Sequence, residues 1–309
     1  MKIQKHNMNR QSKIDIRTSS ALLFFIVACV FGCSPKKSEN PEAPKVNPNE
    51  ALKSALTFYA SFDNGTEADF ALGDKKLYTS PVKSIDSAKA GLHKPDISIA
   101  ENQGRYGDGL LFTERSPGYI LYRSEKNISY ATNDWNGAIS FWLSLDPATD
   151  LEPGYCDPIQ ITDVSYNDAA FWVDFTKENP RDFRLGVIGD RAVWNPNPEG
   201  PDNENPIFIE QLPVVKRPPF AKGEWTHVFI NFSHLNTDKG EAQLYLNGKL
   251  VGTRSNITDP FTWEYEKSNI MLGLGYIGLM DEVSIYNRSL TTEEINTLYQ
   301  FKNGVRELL

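Results

Sequence analysis

The sequence predicts an all-β protein closed by one short helix near its C terminus. Two observations carry this. From Ala55 to the end, short apolar stretches alternate with turn signals at strand spacing. The composition, with Phe 17, Tyr 13, Trp 6, Gly 21 and Pro 19, combines residues that suit a pleated sheet with residues that punctuate its turns. At 309 residues and 40% hydrophobic, the chain has material for a full core, and a single domain of about 250 residues lies in the all-β range. The formal charge is −8, and Lys2, Lys5, Arg10, Lys13 and Arg17 stand against Asp15 alone in the first 33 residues, which leaves about −12 on the remainder. So acidic a body excludes gripping a nucleic-acid backbone by counterion release.

Residues 1–20 are basic and polar, and Ala21 to Gly32 is an apolar run too short to span a bilayer of about 30 Å as a helix. It reads as the apolar stretch of a signal peptide. Val30-Phe31-Gly32-Cys33, followed by polar Ser34-Pro35-Lys36-Lys37, resembles the lipobox of bacterial lipoproteins, which implies acylation of Cys33 and a lipid-anchored protein of the cell envelope, periplasmic or surface-exposed. Ile26-Val27-Ala28-Cys29 also fits, so Cys29 is the alternative. With Cys29 removed and Cys33 acylated, Cys156 is left as a bystander thiol with no disulfide partner. Residues 34–54 are rich in Pro, Lys, Glu and Asn and read as a disordered tether, and 55–309 as one domain.

Within that domain Leu56, Phe58, Ala60 and Phe62 alternate onto one face of a first strand, which Asp63-Asn64-Gly65 ends. Ile139, Phe141, Leu143 and Leu145 share a face opposite Ser140, Trp142 and Ser144. Phe171, Val173 and Phe175, then Phe183, Leu185 and Val187, repeat the pattern, turning Trp172 and Asp174 to the other side. Strands at 225–232 and 242–251 follow, the second folding at Asn247-Gly248 as a two-residue type I′ hairpin. Val283 and Ile285 alternate with polar neighbours, and Thr291 with Glu294 forms a capping box, with Leu290 and Ile295 at staple positions. From Trp194 to Phe220, seven prolines fall in what reads as a long shaped loop without regular structure.

Several of these pieces, in order, resemble the LamG-like jelly-roll domain of the concanavalin A-like lectin and glucanase superfamily. They are Tyr59 to Asp63, Gly107 to Phe112, Ile139 to Trp142, Trp225 to Val228, Leu244 to Lys249 and Gly278 to Thr291. The resemblance covers about Ala55 to Gln300 and implies two antiparallel sheets packed face to face, one of them concave. Such a sandwich carries lectins, glycosidases, lyases and adhesion modules alike.

Glycosidases of this type resemble laminarinases in placing three carboxylates on one strand, and neither Glu-x-Asp-x-x-Glu nor Glu-x-Asp-x-Glu occurs here. The nearest candidate, Asp174, has Trp172 and Thr176 as its neighbours on the same face. The expectation is therefore a non-catalytic carbohydrate-binding module whose hollow is rimmed by indoles rather than acids, taking a polysaccharide or cell-surface glycan through Trp172, Arg191, Trp194, Trp263 and Tyr265. The alternatives are a glycoside hydrolase or polysaccharide lyase, and a protein-interaction or adhesion module. The resemblance also implies a structural Ca2+ at Asp63 and Asp281. His227, in the Trp-x-His-Val stretch, reads as a structural histidine.

Overall fold

The computed structural model describes residues 47–309. The expected signal peptide of 1–33, the expected acylation at Cys33 or Cys29, and most of the expected tether fall outside the described residues.

The described chain opens with a helix, α1 (Pro48–Ala55), and not with a tether. The Asn47 side chain accepts from the Asn49 amide, proline sits in the first turn, and Leu52 and Ala55 are buried. Two apolar residues among polar ones were too few to register as a helix face in the sequence, so the folded unit begins earlier than residue 55.

Seventeen strands follow. They are β1 (Leu56–Ala60), β2 (Phe70–Ala71), β3 (Tyr78–Ser80), β4 (Lys89–Ala90), β5 (Ile97–Ala100), β6 (Gly109–Phe112), β7 (Tyr119–Arg123), β8 (Trp135–Ser144) and β9 (Cys156–Thr162) in the first half. The second half adds β10 (Ala170–Phe175), β11 (Phe183–Ile188), β12 (Val214–Val215), β13 (Thr226–Leu235), β14 (Gly240–Leu246), β15 (Lys249–Ile257), β16 (Asn269–Leu274) and β17 (Gly278–Tyr286). One nine-stranded antiparallel sheet runs β15-β14-β13-β8-β17-β1-β2, with β6 also on β17 and β5 on β6. An eight-stranded antiparallel sheet runs β12-β11-β10-β9-β16-β7-β3-β4. At the centre of each sheet, neighbours such as β8 and β17 or β9 and β16 are distant in sequence, the Greek-key signature of a jelly roll.

The main core lies between the sheets and is built by strand alternation. Phe171, Val173 and Phe175 of β10 and Phe183, Leu185 and Val187 of β11 meet Ile139, Phe141 and Leu143 of β8 and Val283 and Ile285 of β17. In β1 a register shift between Leu56 and Phe58 breaks the expected alternation. Phe58 and Ala60 stay in the core, while Leu56 joins Tyr59 on the outer face. The hairpin at Asn247-Gly248 has φ of 50° and 73°, as a type I′ turn requires.

The outer face of the nine-stranded sheet is closed. Helix α1, the capped C-terminal helix α4 (Thr292–Gln300) and the 3-10 turn Val305–Leu308 bring Leu52, Ile295, Leu298, Val305 and Leu308 onto Tyr59, Phe229, Tyr245 and Tyr286. The capping box is complete, since the Thr291 side chain accepts from the Glu294 amide and Glu294 accepts from the Thr291 amide. The open side of the sandwich is therefore the outer face of the eight-stranded sheet.

Candidate functional site

The residues of β9, β10 and β11 that alternate away from the core line a cleft of about 510 Å³. Gln160, Trp172, Asp174 and Arg184 form its floor. Its walls come mostly from connections: Lys83 after β3, Arg115 to Gly118 before β7 with Tyr119 at its start, Tyr155 just before β9, Tyr166 between β9 and β10, and Phe208.

Asp174 and Arg184 are direct cross-strand partners. Arg184 donates Nε to Asp174 Oδ1 at 2.8 Å and Nη2 to Oδ2. Asp174 is 4% exposed. Burial raises the pKa of its carboxyl, and the two charge-assisted bonds from the Arg184 fork oppose that rise. The guanidinium lies 4.8 Å from the Tyr155 ring centroid and 5.8 Å from that of Trp172. Opposite Trp172 stands Gly186, where any Cβ would strike the indole. The glycine lets the indole lie over β11, with Nε1 donating to the Tyr166 carbonyl at 2.7 Å.

Asp157, half-buried in the cleft, is the carboxylate without such a clamp. Burial and the neighbouring charge of Asp174 push it up to about 8, against Lys83, Arg184 and Arg115, which favour ionisation. Lys83 donates to Gln160 Oε1 at 3.3 Å and sits 5.7 Å from the centroid of the Tyr119 ring, and burial lowers its pKa. Gln160 is fully buried, and its Nε2 has no hydrogen-bond partner. The cleft therefore contains two aspartates, and the expectation of a hollow free of acids is corrected. Asp157 was not singled out because it precedes a proline at the start of a strand, and its proximity to Asp174 exists only once β9 and β10 pair.

Of the five residues expected to bind ligand, Trp172 alone lines this cleft. The expected unstructured loop contains α2 (Arg191–Trp194), a 3-10 turn at Asp202–Glu204 and α3 (Pro206–Glu210). These fold back as a small second core of Trp172, Ile188, Trp194, Phe208 and Leu212. Trp194 is 7% exposed, donates Nε1 to the Asn167 carbonyl at 3.1 Å and packs on Phe208, so it supports the wall from behind and does not line the cleft. Arg191 is spent on Asp202, donating Nε at 2.5 Å. Burial would push Asp202 up, but hydrogen bonds from Arg191, Asn167 and Asn195 hold its carboxyl low. Trp263 belongs to the main core, donating Nε1 to the Ala169 carbonyl at 2.5 Å, and the Tyr265 hydroxyl bonds the Ile128 carbonyl and the Lys126 amide. Both aromatics pin loops, and neither lines the cleft. Periodicity marked their chemistry but could not say which end of the sandwich each loop covers.

The residues expected to hold calcium do not fit the ion. Asp63 Oδ1 accepts from the Asp108 amide at 2.7 Å and Oδ2 pairs with Arg306. Asp281 accepts from the Tyr106 amide at 3.0 Å and the Glu282 amide at 2.7 Å. Burial pushes Asp281 up to about 8, the reverse of what a cation ligand needs. The two aspartates anchor the 104–108 loop from either side. Among the described residues, no three His, Cys, Asp or Glu side chains are grouped to hold a metal ion.

His227 is buried on the closed face, its Nε2 2.8 Å from Ser140 Oγ and its ring stacked on Tyr299. Burial pushes it down to about 3, which leaves it neutral and structural. Cys156 is buried, and burial pushes its thiol up.

The family model of the Concanavalin A-like lectin/glucanases superfamily matches residues 129–296. Among solved structures, the binding domain of botulinum neurotoxin serotype D is similar at 12% identity and a TM-score of 0.53, over 82% of this chain and 52% of that one. The receptor binding domain of botulinum neurotoxin D, in a second structure, gives 13% and 0.52, over 81% and 53%. The chain thus spans about half the length of these toxin domains. Domain 4 of a GH43 extracellular arabinanase from Geobacillus stearothermophilus, in complex with arabinotriose, is similar at 18% identity and a TM-score of 0.48, over 80% of this chain and 98% of that one. A search of the curated proteins finds no match.

Proposed function

The chain belongs to the Concanavalin A-like lectin/glucanases superfamily, and on that premise we propose that it is a non-catalytic glycan-binding module held at a bacterial envelope membrane through acylated Cys33. The observation that carries this reading is the open cleft, where the rings of Tyr119, Tyr155, Tyr166 and Trp172 stand beside the hydrogen-bonding side chains of Gln160, Asp157 and Lys83. A sugar presents an apolar ring face and equatorial hydroxyls, and a cleft lined by aromatic rings with a few polar groups matches both. The loop carrying α2 and α3 fills one end of the cleft and leaves the rest open, which favours a ligand over self-closure. The anchor rests on the sequence of residues 21–37.

A glycan array probed with the full-length protein tests the binding, with reducing-sugar detection on every hit. Tyr155→Ala is expected to lose retention while the protein stays folded. An array on which nothing is retained would overturn the reading. Loss of fatty-acid labelling in Cys33→Ala, but not in Cys29→Ala, tests the anchor.

The raised carboxyl of Asp157 favours a second reading, in which it donates a proton to a glycosidic oxygen. Hydrolysis needs a second carboxylate free to act as base or nucleophile. Asp174, the other one in the cleft, has both oxygens held by Arg184. Binding is therefore the preferred reading, and released reducing ends would reverse the preference.

A further inference from the structure

Resting on the glycan-binding reading, we propose that the cleft selects acidic glycans, seating a sugar carboxylate or sulfate ester against Lys83, Gln160 and Arg115.

The fold leaves hydrogen-bond donors unused at the floor of the cleft. Gln160 is fully buried, at the centre of the floor, opposite Trp172 across β9 and β10. Lysine only donates, so the bond from Lys83 fixes Oε1 toward it and leaves the amide nitrogen as the free end. That Nε2 has no partner. A buried donor without an acceptor is costly, and a ligand oxygen would satisfy it.

Charge points the same way. Lys83 and Arg115 both line the cleft, and neither forms an ion pair with a described carboxylate. Lys83 is half-buried, and burial lowers its pKa more than the nearby charge of Asp157 restores it, so a further anion would stabilise its ammonium. Arg184 and Asp174 neutralise each other. Asp157 is the one acid left to oppose the two cations, and being pushed up to about 8 it is largely protonated at neutral pH. The occupied charges of an otherwise acidic protein thus leave a locally cationic cleft.

The groups that face Asp157 are Asp174 on β10, Arg184 on β11, Lys83 beyond β3 and Arg115 beyond β6. When Asp157 ionises, its charge opposes an incoming anion, so acidic-glycan affinity falls as pH rises through about 8.

Calorimetry on the full-length protein in detergent tests this. The probes are oligosaccharides of galacturonate, mannuronate, guluronate and glucuronate, the methyl ester of each, and sulfated and unsulfated galactans. At least one acidic glycan is expected to bind about tenfold or more tighter than its uncharged counterpart. Lys83→Gln and Gln160→Leu should each bring it down toward the uncharged level, with unchanged melting temperature showing that the fold survives. Preference for a uronate over its ester identifies the anion as carboxylate, and preference confined to the sulfated galactan identifies it as sulfate. Equal binding of charged and uncharged forms overturns the inference and leaves glycan binding standing. If no sugar binds, charged or not, both fall.

Discussion

Arg184 reaches across from the opposing register position on β11 and takes both carboxylate oxygens of Asp174. This one pair decides between two chemistries that the cleft could host. It removes Asp174 from the set of free acids and leaves Asp157 alone, and one free carboxyl suits recognition better than displacement at a sugar carbon.

Removing the guanidinium leaves a buried carboxylate unpaired. Arg184→Met is expected to cost about 3–5 kcal/mol in urea denaturation, whereas Asp174→Asn combined with Arg184→Met recovers most of it, because no charge is then stranded. Equal losses in the single and double variants would show that the pair is not coupled in this way.

Trp194 is a supporting residue under this account. Trp194→Ala should destabilise the protein by about 3 kcal/mol by opening a cavity beside Phe208. Retention on glycan should persist at temperatures where the variant remains folded. Lost retention with an unchanged melting curve would instead return Trp194 to the ligand-contacting set.

Burial pushes up five carboxyls in the folded protein, Asp163 and Asp174 among them, and it carries Asp157 and Asp281 to about 8 and Glu282 to about 7. A carboxyl with a raised folded pKa contributes stability that is complete below its unfolded pKa and is lost as pH rises through the folded one. His227, pushed down to about 3, acts in the opposite sense only below about pH 6.5, where the unfolded imidazole takes up a proton. Between pH 6.5 and 8 the three carboxyls at about 7 to 8 dominate, so stability should fall by about 4 kcal/mol across that window. Asp157→Asn should flatten part of the slope. Stability that rises with pH over the same window would contradict the assigned directions.

Backbone amides of the 104–108 loop bond Asp63 and Asp281, and Arg306 pairs with Asp63, so the loop is expected to hold its place without calcium. EDTA should leave the melting temperature within about 1 °C, and added calcium should not raise it. A rise of several degrees on adding calcium would show that these carboxylates reorganise around the ion.

The sandwich was legible because alternation is local. Phe171, Val173 and Phe175 cannot face the core without sending Trp172 and Asp174 outward, and Asn247-Gly248 and Thr291 with Glu294 carry their turn and cap within four residues. The cleft was legible only at Trp172 and Asp174 because its other parts converge from distant segments. Lys83 meets Gln160 across seventy-seven positions, and nothing near either residue announces the other. Trp194, Trp263 and Tyr265 looked like ligand contacts because an aromatic in a loop carries the same local signature whether it faces solvent or closes a sheet end.

The most direct test of the account is amide chemical-shift mapping on isotopically labelled protein with the tightest oligosaccharide found on the array. The account predicts perturbations at Asp157 to Gln160, Trp172 to Asp174 and Ser116 to Tyr119. Perturbations confined to the separate hollow at Asn236 to Asp238 and Pro260 to Thr262, with the eight-stranded sheet silent, would contradict it.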